Sequence, residues 1–320
     1  MWQIIGHEPA VELLQQALAA NRLAHAYLFV GPAQIGKTTL ALRLAQALNC
    51  ASEGRPCGVC LSCRKIARYM HPDVRIVEAE EGTIKISQMR ELQHEAALSP
   101  YEGAWRVYII PDFQQATVEA ANCFLKTLEE PPPQVLLILT ATDSRALLPT
   151  IVSRCQVISL RPLPIQKVAE ALLESGGISQ EEAALLARLS GGRIGWAIQA
   201  RQDKGILQER ANRLAALRDL SGGSLVQRME YAQQICQKPE ELPALLDLWI
   251  SWWRDLLLVK TGCEDLTVNR DQSTLLQQDA GKREAAEIQR LIRNARRAKS
   301  ELEKNANPRL AMEALLIDMR

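Results

Sequence analysis

Two groups of residues in this chain have types and spacings that could do chemistry. The first is Gly31-Pro32-Ala33-Gln34-Ile35-Gly36-Lys37-Thr38, which reads G-x-x-x-x-G-K-T. Two glycines let the backbone curl until its N–H groups converge on a phosphate chain. Lys37 would neutralise the outer phosphates and Thr38 would offer a hydroxyl to Mg²⁺, with Thr39 following in the same turn. The second is Cys50-x6-Cys57-x2-Cys60-x2-Cys63. Four thiolates this close in sequence can wrap one tetrahedral Zn²⁺, each sulfur at about 2.3 Å. Such a set leaves no open ligand position, so the expected role is structural. Disulfides, or free cysteines gathered by chance, are the competing readings. The N-terminal residues Met1 to Glu8 lack the basic-then-apolar pattern of a signal peptide, which argues against disulfides.

The elements around these groups are the ones their chemistry requires. Ala26 to Val30 is an apolar run suited to a buried strand, and Thr39 to Leu48 reads as a helix. Strand, glycine loop and helix form the context of a phosphate-binding loop, with the positive end of the helix aimed at the anion. Further strands are expected at Val74–Glu78, Arg106–Ile110, Val135–Leu139 and Gln156–Leu160. Helices are expected at Pro9–Ala20, from Ser87 as cap to about Leu98, and at Val118–Glu130, which ends on Pro131-Pro132-Pro133. Alternation of this kind predicts a parallel α/β sheet covered on both faces. The strand at 106–110 ends in Pro111-Asp112. A carboxylate at such a strand end commonly holds Mg²⁺, and Asp112 is the only acid there. His71-Pro72 reads as the opening of a turn.

Beyond Pro162 and Pro164 the strand signals stop. Ile165–Glu174 is helical, Ser179-x-x-Glu182 is a capping box, and Gly191-Gly192 ends the next helix. From about Ile206 onward the pattern is all helix. Trp249, Trp252 and Trp253 recur near one helical turn and predict a packed core face rather than a base-stacking surface. Arg283 to Lys299 is rich in arginine but carries Glu284 and Glu287, and reads as a solvated face. The expected division is 1–162, an α/β nucleotide-binding domain with the cysteine module at 50–63 inserted; 163–205, a small helical lid; and 206–320, an all-α oligomerisation domain.

With 320 residues, 47% hydrophobic, the chain can fill about two or three cores. A formal net charge of +1 sets up no global field for nucleic acid. No apolar run approaches the roughly 18 residues of a membrane span. A cytoplasmic protein without membrane contact is the expectation.

Taken together, these residues resemble a known family. The ordered set is the phosphate loop, the cysteine cluster, Asn122-Cys123-Phe124-Leu125-Lys126-Thr127-Leu128-Glu129-Glu130-Pro131-Pro132 and Ser153-Arg154-Cys155. It is similar to the AAA+ subunits of clamp loaders, those of the bacterial DNA polymerase III complex in particular. Trp253-Arg254-Asp255-Leu256-Leu257 and Asn305-Ala306-Asn307-Pro308-Arg309-Leu310 extend the likeness to the end of the chain. His71-Pro72-Asp73, Ile84 to Leu92 and Pro100-Tyr101-Glu102-Gly103 look more like the delta-prime type than the gamma or tau motors. In the motors the strand ends in Asp-Glu, whereas here Pro111 takes the place of the first acid.

The resemblance implies an AAA+ sheet domain, a lid and a collar within a ring of motor subunits, delta and delta-prime. Such a ring loads the sliding clamp on primer–template DNA. It implies ATP or ADP with Mg²⁺ on the loop, Thr142 as sensor of the outer phosphate, and Arg154 as an arginine finger reaching a neighbour's ATP. Trp196 stands where a second sensor arginine is usual, with Arg193 nearby. Weak or absent hydrolysis by this chain alone follows. The alternative is an active gamma/tau-type ATPase motor using Asp112 as metal ligand. A weaker third reading is a zinc-dependent DNA-binding ATPase outside replication.

Overall fold

The computed structural model describes residues 2–304 and 306–319. Met1, Arg320 and Asn305, the first residue of the family-like stretch near the end, lie outside the described residues. The chain divides into two compact units: residues 1–177 with 190–197, and residues 178–189 with 198–320.

The first unit holds a five-stranded sheet. Its strands are β1 (Ala26–Val30), β2 (Val74–Ile76), β3 (Arg106–Ile110), β4 (Val135–Ala141) and β5 (Gln156–Ser159). The order is β2-β3-β4-β1-β5 and every pairing is parallel. Parallel pairing needs crossovers, and the helices α1 (Glu8–Ala19), α2 (Lys37–Asn49), α3 (Leu61–Ala67), α4 (Ile86–Ala96), α5 (Val118–Glu129), α6 (Pro149–Val152) and α7 (Ile165–Glu174) lie in and around them. All seven residues of β4 are buried, which explains its unbroken apolar run Val135 to Leu139. Alternate residues of the sheet feed two cores. Tyr27, Phe29, Ile109 and Ile138 join Leu40 and Leu44 of α2 on one face. Leu28, Tyr108, Leu137 and Leu139 join Phe124 and Met89 on the other.

Most elements lie where the sequence puts them, with three differences. Helix α4 is capped at Lys85, not Ser87: the Gln88 side chain turns back and accepts the Lys85 N–H at 2.9 Å. The sequence pattern does not reveal α3, which the cysteine module hides, or α6, which is a single proline-initiated turn. Ser179 does cap the next helix, its hydroxyl accepting the Glu182 N–H.

The second unit is helical. The chain crosses between the units along α8 (Gln180–Ser190) and α9 (Ile194–Gln202). Then follow α10 (Gly205–Gly222), α11 (Leu225–Ile235), α12 (Leu242–Lys260), α13 (Ser273–Lys282), α14 (Ala285–Glu303) and α15 (Pro308–Ile317). Trp249, Trp252 and Trp253 of α12 are buried in one core, with the Trp249 and Trp253 rings edge to face at 6.0 Å. Asp255 of the same helix is fully buried; its Oδ2 accepts the N–H groups of Val268 and Asn269 and so pins the loop before α13. No helix among the described residues is long and apolar enough to cross a membrane.

Candidate nucleotide and metal sites

Parallel strands end on one edge of a sheet, and crevice chemistry collects there. The loop after β1 is the Gly31–Thr38 stretch, Asp112 follows β3 and Thr142 follows β4. The topology therefore gathers these expected groups on one rim. Backbone geometry explains the glycines. Gly36 sits at φ +107°, in the left-handed half of conformational space, where a side chain is strained. Gly31 is needed for a different reason: a Cβ there would lie 2.4 Å from the Leu160 carbonyl oxygen.

Lys37 opens α2 and is buried; its Nζ donates to the carbonyls of Gly31 at 2.7 Å and Pro32 at 2.9 Å. The ammonium is thus folded onto the loop that would hold the phosphates. Burial lowers its pKa, and the charge of Asp112 opposes that shift. The charge of Asp112 therefore reaches Lys37 across this rim. The Asp112 N–H is held by the Thr140 hydroxyl at 3.0 Å. Thr38 is half-buried, and Ala33, Gln34, Thr39 and Thr142 are not buried.

Two contacts to this loop are not visible in the sequence. His7 Nε2 lies 3.1 Å from the Ile35 carbonyl. The Gly195 N–H, at the start of α9, donates to the Gln34 carbonyl at 2.9 Å, and a Cβ on Gly195 would come within 2.6 Å of that oxygen. Helix α9 therefore begins directly on the Gly31–Thr38 loop. Arg193 and Trp196 flank that contact, the guanidinium 6.0 Å from the ring centroid, and Arg193 Nε also donates to the Ser190 carbonyl.

Arg154 stands apart from the loop, between α6 and β5. One guanidinium nitrogen donates to the Thr150 carbonyl at 3.0 Å and the other to Glu129 Oε1 at 2.5 Å. Its side chain is 34% exposed. Glu129 is the last residue of α5, immediately before Glu130 and the proline run, so the helix end and the arginine turn meet on the surface.

The four cysteines come together as the spacing requires. All four Sγ atoms lie within 4.8 Å of one another, Cys50 and Cys60 4.0 Å apart, and none is in a disulfide. The N–H groups of Cys57, Cys60 and Cys63 point at the sulfurs of Cys50, Cys57 and Cys60, at 3.3–3.4 Å. Donors aimed at sulfur favour thiolate. The Ser52 side chain and the N–H groups of Cys60 and Val59 pull Cys57 down to about 5, while burial pushes Cys63 up to about 12. Four sulfurs this close cannot all carry charge unaided, and a divalent cation would let them. The set fits a tetrahedral thiophilic ion.

His71 and Asp73 do structural work. The His71 Nδ1 accepts the Asp73 N–H, as the expected turn requires. Asp73 is buried and accepts three backbone N–H groups, from Tyr101 at 2.6 Å and from Glu102 and Gly103 at 2.8 Å. A cavity of about 700 Å³ lies over the β2 edge, lined by Tyr69, His71, Arg75 and Arg106 among others. Its arginines are already engaged: Arg75 is held by Glu91 and Glu95, and Arg106 by Asp73 and two carbonyls.

Comparison with known proteins agrees with this layout. The family described as DNA polymerase III, delta subunit, matches residues 6–164, and its C-terminal counterpart matches residues 204–320. The delta' subunit of DNA polymerase III from Bacillus subtilis is 29% identical over 311 residues, 96% of this chain and 94% of that protein. The chain belongs to the delta-prime family of DNA polymerase III clamp loaders. The tau subunit of Escherichia coli is 35% identical over 198 residues, 60% of this chain but only 31% of tau. The delta-prime relative therefore matches nearly the whole chain and nearly its own whole length, whereas this tau subunit matches 60% of the chain. A gamma subunit-related protein from Thermotoga maritima covers 96% of this chain and 98% of its own, at 16% identity and a TM-score of 0.46.

Proposed function

We propose that this chain is a ring-closing subunit of a clamp loader, which helps load the sliding clamp on primed DNA and acts on a neighbouring ATPase through Arg154. Its partners on this reading are gamma or tau motors and delta, and through them the clamp and primer–template DNA, in the cytoplasm. The observation that carries the proposal is the position of Arg154. Its guanidinium is on the surface, outside the chain's own phosphate loop, where another molecule's nucleotide can reach it. A guanidinium on a transferring phosphoryl group spreads its charge and is worth roughly 10³–10⁵ in rate.

The chain's own site is taken to bind ATP or ADP with Mg²⁺ through residues 31–39, with Asp112 and Thr142 beside the phosphates. Pro111 in place of the first acid of the pair, with Asp112 at the second, supports weak or absent hydrolysis here. The cysteine module is assigned a structural Zn²⁺ on Cys50, Cys57, Cys60 and Cys63, which ties the end of α2 to α3. The division into a sheet domain at 1–162, a lid at 163–205 and a collar at 206–320 is kept as part of the proposal.

One observation favours a second reading, that of an active gamma/tau-type motor. The phosphate loop is whole, and Asp112 is near enough to act on Lys37. Arg154→Ala separates the two. Arg154 and Glu129 are a solvent-accessible pair, worth about 0–1 kcal/mol to the fold, so the substitution should leave thermal stability nearly unchanged. In the reconstituted loader it should cut steady-state hydrolysis by at least about 10³ at the neighbouring site, with this chain's own nucleotide affinity intact. Full-speed hydrolysis by the loader after that change would refute the proposal, and robust Mg²⁺-dependent turnover by the isolated chain would favour the motor.

A further inference from the structure

We propose that the outer face of α14, with Arg254 of α12 beside it, binds the phosphate backbone of duplex DNA. Helix α14 buries Ile288, Leu291, Ile292, Ala295 and Ala298, a three-and-four spacing that fixes which side faces out. Arg290, Arg293 and Arg296 stand exposed on that outer side, one helical turn apart. None of the three forms an ion pair with a described residue. Other arginines of this unit do: Arg210, Arg218, Arg283, Arg297 and Arg309 each hold a carboxylate. Two acids of α14 are already spent, Glu287 on Arg283 and Glu301 on Arg297.

Arg254 adds a fourth charge. Lys299 of α14 pairs with Asp247 at 2.6 Å, and Lys260, the last residue of α12, donates to the Ala280 carbonyl near the end of α13, just before α14 begins, so α12 and α14 run in opposite directions. Two turns along α12 from Asp247, the exposed Arg254 comes level with Ile292 and Arg293. Four cations close together repel one another, and no ion pair with a described residue neutralises them.

The chemistry of the face selects its partner. A protein interface needs an apolar or aromatic centre. The exposed large apolar side chains of this unit are on other segments, such as Leu225, Val226, Leu266 and Leu310, and none is on α14. Single-stranded nucleic acid is held by stacking bases on aromatic rings. Trp249, Trp252 and Trp253 are all buried, and no aromatic ring of this unit is among its exposed large side chains. What remains is a row of guanidiniums, which engage phosphate oxygens two at a time and need no apolar centre. The overall charge of +1 does not oppose this, because backbone contacts are local.

The test uses the full chain and fluorescence anisotropy with a labelled blunt duplex and a single strand of equal length, over a salt series. Arg290→Ala/Arg293→Ala/Arg296→Ala should weaken duplex binding at least ~10-fold near 50 mM salt and flatten the log–log salt slope by about 2–3, since each lost phosphate contact removes about 0.9. The matching triple lysine variant should keep most of the slope, because it keeps the charges. Thermal unfolding reports whether the alanine variant is folded, and exposed positions predict that it is. Arg270→Ala, which removes an exposed guanidinium of the same unit that is paired with Asp265, should bind duplex as the parent does. No duplex binding by the parent, an unchanged slope in the alanine variant, or preference for the single strand would overturn the proposal. So would a variant that keeps duplex binding but loses assembly with other loader subunits, for then the face serves an acidic protein.

Discussion

The cysteine module makes the most demanding prediction, because little else could hold it. From Cys50 to Cys63 only Cys50, Pro56 and Cys63 are buried. Fixing the backbone costs roughly 1–2 kcal/mol per residue, and a stretch of this length with no apolar core cannot recover that by burial. Few hydrogen bonds hold it: three N–H groups to sulfur, the Arg55 N–H to the Glu53 carbonyl at 3.1 Å, and from α2 the Gln46 Nε2 to the Cys63 carbonyl at 2.8 Å. A structural metal contributes on the order of 10 kcal/mol, enough to offset a large part of that cost. The purified chain should therefore carry one zinc per molecule. In the native protein Cys263, which is exposed, should react fast with an alkylating reagent, and the four module thiols slowly. A chelator strong enough to strip the ion should release four further fast thiols. Cys63→Ser should abolish the metal; the released module recovers its backbone entropy by disordering, so the melting temperature should fall only by several degrees, as a loss of about 2 kcal/mol would bring in a domain of this size. Because α2 is held by the sheet core through Leu40 and Leu44, the phosphate loop should survive in that variant. Metal-free protein whose four module thiols react as fast as Cys263, while the fold stays intact, would refute the reasoning.

Three further outcomes follow. Gly31→Ala should abolish nucleotide binding and lower stability by about 2 kcal/mol or more, since its Cβ meets the Leu160 carbonyl at 2.4 Å. Gly36→Ala meets nothing and should cost only backbone strain, about 1 kcal/mol, so equal melting shifts for the two would contradict the geometry. Asp73→Asn should destabilise the chain at neutral pH. Burial raises the Asp73 pKa, but the N–H groups of Tyr101, Glu102 and Gly103, helped by Arg106, outweigh it and hold it below the ordinary carboxylate value. That stabilisation is present above about pH 4 and is lost as pH falls through the lower, folded-state pKa. Urea titrations should therefore show parent and variant converging in acid. Glu129→Gln should leave the melting temperature within about a degree yet change the rate at which the reconstituted loader hydrolyses ATP, because Glu129 orients Arg154; an unchanged rate would make the pair ornamental.

Where the sequence is informative, one physical requirement is local and the residue types can meet it in only one way. A phosphate cradle needs glycines a fixed distance from a lysine, a buried parallel strand needs an unbroken apolar run, and a sulfur cage needs thiols a few residues apart. Gly31, Lys37, Val135 to Leu139 and the four cysteines can be assigned on those grounds. The contacts that escape the sequence join residues far apart in the chain through backbone atoms, which carry no side-chain signature. His7 reaches a loop carbonyl 28 residues away, and Gly195 meets the Gln34 carbonyl with its amide alone. The only trace of the Gly195 contact is the absence of a Cβ, and a glycine within a helical pattern equally well marks a helix end. Lys85 shows the same limit at short range: Ser87 looks the better cap by residue type, but Gln88 supplies the bond from within the helix and moves the start upstream. Arg290, Arg293 and Arg296 are hidden differently. Glu284 and Glu287 beside them in sequence suggest a neutralised face. Only the structure shows that Glu287 is already bound to Arg283, which leaves that row of arginines without an ion-pair partner among the described residues.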